Sequence, residues 1–169
     1  QVIERIDSTF IDNEGRQTQR LERAKRVNAT APWQNNIVIW TSTLATSRYE
    51  KVEDGIRFVK LGFPINALTT WNGNAYNTLG YEEYSYESLH LPKTISSFNF
   101  DSTVTVNRGD SANFVNEKNG IDIFANHVGM IYRKFVDITF DTIPNHPGGV
   151  MYIYTINNYG LHNAPMPVY

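Results

Sequence analysis

The chain has 169 residues, with 15 Lys and Arg against 17 Asp and Glu, and no cysteine. That length predicts one domain of ordinary size with enough apolar side chain for a core. The missing Cys excludes disulfide frameworks, thiol catalysis and Cys-based zinc sites, and no apolar run reaches the roughly 18 residues of a membrane-spanning helix. Gln1 stands where an initiator Met would, so a fragment of a longer chain or a processed start is expected.

Residues 1 to 27 carry six Lys/Arg and five Asp/Glu and no proline. Ile3, Ile6 and Phe10 recur at 3–4 spacing, and Leu21 and Ala24 resume it, which is helical spacing. Gly15, Asn13 and Gln17 interrupt the stripe. A short helical or extended linker over residues 1–30 is therefore expected, with an oligomerising stalk as the alternative. Asp12-Asn13-Glu14-Gly15 offers oxygen ligands but lacks the D-x-D-x-D-G order of a calcium loop, so no metal site is assigned there.

The texture changes near Pro32, which disfavours helix at Ala31. Residues 31–169 read as β structure. Strands are expected at Ile37–Thr41, with Trp40 in the core, and at Ile56–Leu61. More follow at Phe98–Phe100, Val104–Val106, Ile121–Phe124, Val136–Asp141 and Val150–Ile156. Asn119-Gly120 reads as a turn, and so does Asn107–Asp110, where Gly109 would supply a positive φ. Arg-Gly-Asp at 108–110 thus reads as turn chemistry, not as an adhesion signal. Leu91-Pro92-Lys93-Thr94 lacks the following Gly of a sortase signal. Short strands with Gly, Asn and Pro between them and no βαβ rhythm predict an all-β, antiparallel, jelly-roll-like β-sandwich.

Catalytic motifs are missing. The histidines at 90, 127, 146 and 162 have no zinc spacing, and no nucleophile elbow, phosphate loop or dinucleotide fingerprint occurs. No catalytic residue, cofactor or metal is assigned. A glycosidase would need two facing carboxylates, which Asp101, Asp137, Asp141, Glu82 and Glu83 could supply only if the fold paired them.

The stretch WNGNAYNTLGYEEYSYE, residues 71 to 87, concentrates rings, amides and acids. Rings cover the flat C–H faces of sugars, and amides and carboxylates pair with hydroxyls; Trp and Tyr also supply rigid contact area at low entropy cost. The candidate ligand-binding residues are Trp71, Asn72, Asn74, Tyr76, Tyr81 and Tyr84, with His146 from another loop. A period-2 reading sets Tyr84 and Tyr86 on one strand face and Glu83, Ser85 and Glu87 on the other. A core role for the two tyrosines is the competing reading. No Lys or Arg lies between Leu61 and Pro92, so a neutral glycan fits better than nucleic acid or another polyanion.

A charged lead-in, IERIDSTFIDNEGRQTQRLERA, followed by a Cys-free, Tyr/Asn-rich β domain resembles baseplate and tail-fibre proteins of siphophages that infect Gram-positive bacteria. Their accessory baseplate proteins carry a carbohydrate-binding-module-like C-terminal domain. The resemblance implies a non-catalytic saccharide-binding module exposed on a virion tail. It also implies attachment to bacterial cell-wall saccharide, and contact with other baseplate or tail proteins through residues 1–30. No nucleic-acid or membrane partner is implied. A purely structural virion or fibre domain and a cell-wall polysaccharide hydrolase are the alternatives.

Overall fold

The computed structural model describes residues 1–34, 37–112, 115–140 and 148–160. The described residues form antiparallel strands and no helix, as the all-β expectation requires. The chain divides into two compact units, one from Gln1–Gly62 and Asn74–Gly80, the other from Phe63–Gly73 and Tyr81–Leu161.

The first unit holds a sheet in the order β1 (Val2–Ile11), β2 (Gln17–Lys25), β3 (Val38–Leu44), β4 (Arg48–Glu53) and β5 (Ile56–Gly62). The second holds β6 (Thr70–Asn72), β7 (Glu83–Ile95), β8 (Phe98–Ala112), β9 (Asn116–Ala125), β10 (Gly129–Thr139) and β11 (Gly148–Thr155), again in chain order. Every hydrogen-bonded neighbour is also a chain neighbour. The two antiparallel sheets belong to the expected class, and each is a meander, simpler in connection than the Greek-key returns of a jelly roll.

Residues 1–30 are not a helical or extended linker. Residues 2–25 make the first hairpin of the five-stranded sheet, so no domain boundary falls near residue 30. The 3–4 spacing has a β explanation. The register shifts between Ile6 and Ser8, leaving Asp7 as the extra residue of a bulge. Ile3 pairs with Ala24 on one face and Ile6 with Leu21 on the other, while Phe10, beyond the bulge, returns to the face of Ile3. The charges pair across strands, as in Arg5–Glu22 at 2.7 Å. Asp12 turns the hairpin: its Oδ1 accepts from the Glu14 and Arg16 amides, and Gly15 takes φ +75°. The Asp12–Gly15 stretch, to which no metal site is assigned, forms this turn.

Trp40 is buried, as expected, and its Nε1 donates to Asp54 at 3.0 Å. The Arg23 guanidinium lies 3.9 Å from its ring centroid and the Lys51 ammonium 5.1 Å. Within this cation–aromatic stack, Lys51 also reaches Glu4 at 2.6 Å; elsewhere in the sheet, buried Lys60 lies over the Phe58 ring and reaches Glu53 at 3.0 Å. The first sheet therefore covers its one buried Trp with paired charges, whose long stems bury apolar surface.

The second unit is more apolar. Phe100, Ile123, Ala125 and Ile131 form its core cluster, with Phe98 and Tyr159 packed ring against ring. Buried Arg133 grips Asp122 through two bonds of 2.8 Å. β8 is one strand from Phe98 to Ala112, merging the two strands expected at 98–100 and 104–106.

Two expected turns lie inside strands. Arg108 and Gly109 are a bulge, with Asn107 opposite Ile121 and Asp110 opposite Asn119. Gly109 does take a positive φ, of +68°. Asn119-Gly120 lies within β9. Gly120 is needed for close approach, because a Cβ there would sit 3.0 Å from Arg108 Cβ and 3.6 Å from Phe135 Cδ2.

Candidate functional site

The bulge at Arg108–Gly109 shapes the site by sending neighbouring residues different ways. Arg108 turns inward and is buried, so the Arg-Gly-Asp tripeptide is not presented as an exposed unit. Its Nε donates to the Tyr84 hydroxyl at 2.9 Å. Gly109, with no side chain, leaves space beside Glu82 and the Glu83 carbonyl. An open groove of about 460 Å³ results, lined by Tyr81, Glu82, Glu83, Ser85, Asn107, Gly109 and Lys118.

The groove uses the polar face of β7. Tyr84 and Tyr86 are buried, while Glu83 and Glu87 are exposed and Ser85 is half-buried, the alternation that period 2 predicts. Ser85 pairs with Asn107 on β8, which brings a hydroxyl and an amide together on the floor. Tyr81 stands at the edge with 72% of its surface exposed. Its hydroxyl donates to Glu83 Oε2 at 3.0 Å, and that bond, reinforced by partial burial and the carboxylate's charge, raises the Tyr81 pKa. Lys118 Nζ lies 3.1 Å from Glu82 Oε1, so one carboxylate is neutralised and the other is not.

Of the described residues expected to bind, the groove takes Tyr81 alone. Trp71 on β6 is half-buried, its ring 5.9 Å from that of Tyr84 and 4.9 Å from that of Tyr86. Asn72 works for the backbone, its Oδ1 accepting from the Glu82 amide at 3.0 Å. Tyr84 has no exposed surface, and burial pushes its hydroxyl pKa up to about 12, so a ligand cannot reach it. Gly73 is glycine because a Cβ there would overlap the Tyr84 ring. Asn74 and Tyr76 belong to the first unit. Asn74 is buried and accepts from Asn77 Nδ2 at 3.1 Å. Tyr76 is 45% exposed, with the Arg48 and Arg57 guanidiniums 4.6 and 4.5 Å from its ring centroid. His146 lies outside the described residues.

Those two arginines belong to a second polar cluster. Buried Glu50 accepts from Arg16 Nη1 at 3.0 Å, from Arg57 at 2.9 and 2.7 Å, and from Arg48 Nε. Asp12 binds Arg16 at 2.8 Å and Glu14 binds Arg57 at 2.8 Å. Three guanidiniums meet three carboxylates, so this cleft of about 220 Å³ is a closed ion-pair network without spare charge for a ligand.

Ser85, Asn107, Gly109 and Lys118 were missed as site residues. The polar face of β7 is the one sequence signal that points to Ser85; the others arrive through the β8 and β9 registers. Among the described residues, no three Asp, Glu or His side chains converge as a metal site would need. No protein-family model matches the chain, and neither the curated proteins nor the solved structures yield a significant match.

Proposed function

We propose that the chain is a non-catalytic saccharide-binding module of a phage tail or baseplate, which helps attach the virion to bacterial cell-wall glycan. The observation that carries the reading is the groove at Tyr81: an exposed ring beside two carboxylates, an amide and a hydroxyl. A ring meets a sugar's C–H face, and the polar groups meet its hydroxyls. The groove has one ammonium against two carboxylates, a poor match for a polyanion. The phage setting rests on the sequence resemblance alone, and its lead-in is a hairpin instead of a helix.

Hydrolysis would need two free carboxylates facing each other across the groove, and the Glu82 carboxylate is held by Lys118 at 3.1 Å. A second reading, contact with other tail chains, is supported by the edge hairpin, where Ile6, Phe10 and Ile11 are exposed. An open groove should bind with millimolar to micromolar affinity, about 4 to 8 kcal/mol, and repetition on a particle would add avidity. Calorimetric titration with oligosaccharides from a Gram-positive wall tests the proposal. Binding that disappears in Tyr81→Ala while the fold is kept supports it, and no binding by the unaltered chain overturns it.

A further inference from the structure

Glu83 differs from the other carboxylate of the groove. Glu82 faces the Lys118 ammonium at 3.1 Å. Glu83 is exposed, accepts one hydrogen bond at Oε2 from the Tyr81 hydroxyl, and enters no ion pair among the described residues. The groove therefore holds one uncompensated negative charge next to an exposed aromatic ring. A ring face attracts a cation through its quadrupole, and a carboxylate adds a charge-assisted hydrogen bond. Together they select for an ammonium group. Asn107 and Ser85 remain to bond the hydroxyls around it.

Building on the saccharide reading, we infer that the groove recognises an amino sugar with a free, protonated amine, through the Tyr81 ring and the Glu83 carboxylate. An N-acetylated sugar lacks the charge and adds bulk. A neutral sugar keeps its hydroxyl contacts and loses the ion pair. One partly exposed ion pair is screened by salt, so the preference should shrink as salt rises.

The test is calorimetric titration of the full chain with three trimers: β-1,4-linked glucosamine, its fully N-acetylated form, and cellotriose. The amine trimer should bind about tenfold more tightly than the other two in low salt. Glu83→Gln should bring the amine trimer down to the level of cellotriose, with the circular dichroism spectrum and melting temperature of the parent. If cellotriose or the acetylated trimer binds as tightly as the amine trimer, the amine inference fails and the saccharide reading stands. A preference that survives Glu83→Gln also overturns it. If no trimer binds, the amine inference fails, and the titration with wall oligosaccharides decides the saccharide reading separately. A lysine-bearing peptide that binds as tightly as the amine trimer would show capture of an ammonium alone and overturn the amino-sugar assignment.

Discussion

Arg108 Nε donates to the Tyr84 hydroxyl at 2.9 Å, and this bond fixes the boundary between core and groove. It holds a guanidinium inside the second unit, next to a ring with no exposed surface. Tyr84→Phe would leave that donor buried without its acceptor. A loss of about 1–3 kcal/mol is expected, read as a lower urea midpoint with an unchanged slope.

The same tyrosine gives an alkaline prediction. Its pKa is pushed up to about 12 chiefly by burial, against an ordinary value of 10.0. A raised pKa in the folded state means that the unfolded chain releases its proton first. The stabilisation is complete below about pH 10 and is lost as pH rises towards 12, amounting to roughly 2–3 kcal/mol. Ultraviolet titration should show one tyrosinate forming late, together with unfolding, and Tyr84→Phe should remove that late step.

At Glu50, burial opposes ionisation most strongly, yet bonds from Arg48 and Arg57 outweigh it and hold the carboxyl below its ordinary value. Glu50→Gln would take the carboxylate from Arg48 and the shared buried partner from Arg16 and Arg57, which keep only Asp12 and Glu14, at a cost of about 3–5 kcal/mol. The Arg16 backbone and side-chain bonds lower Asp12 from 3.8 to about 2. A depressed carboxyl stabilises above its unfolded pKa and ceases to do so as pH falls through the folded one. Acid unfolding of the wild type should therefore fall mainly between pH 4 and 2, and Asp12→Asn should flatten that limb of the melting-temperature profile.

Tyr81→Ala and Trp71→Ala should separate binding from stability. Tyr81 is largely exposed, so its loss should weaken saccharide binding about tenfold, or about 1.4 kcal/mol, and leave the melting temperature within a degree or two. Trp71 stacks on Tyr84 and Tyr86, so its loss should cost about 2 kcal/mol of stability. Calorimetry and thermal melts of both variants decide this. An affinity loss confined to Trp71→Ala would move the site away from the groove.

A chain starting at Trp33 would lack β1 and β2, and with them buried Leu21 and Ala24. Its first unit should be poorly folded, with the amides of β3–β5 losing dispersion in a proton–nitrogen NMR spectrum. A native-like spectrum would show that the hairpin is dispensable.

Much of the strand content was legible because alternation survives in the sequence. Tyr84 and Tyr86 against Glu83 and Ser85 in β7 gave both a buried face and a polar one. Residues 1–27 misled because the bulge at Asp7 breaks the period of 2, and because cross-strand ion pairs look like the charges of a solvated helix. Asn119-Gly120 misled for another reason: its glycine answers to Arg108 on the neighbouring strand, which local spacing does not show. The groove was half legible for the same cause. Tyr81 and the acids are close in sequence, whereas Asn107 and Lys118 join them only through sheet register.

Both sheets run strictly in chain order. Each strand can find its partner across the nearest connection, without waiting for a distant segment. The loops closed during folding are then short, and the entropy lost in closing them is small. For a protein made of strands, such local pairing predicts refolding towards the fast end of the all-β range, with hairpins able to form ahead of the rest of their sheet.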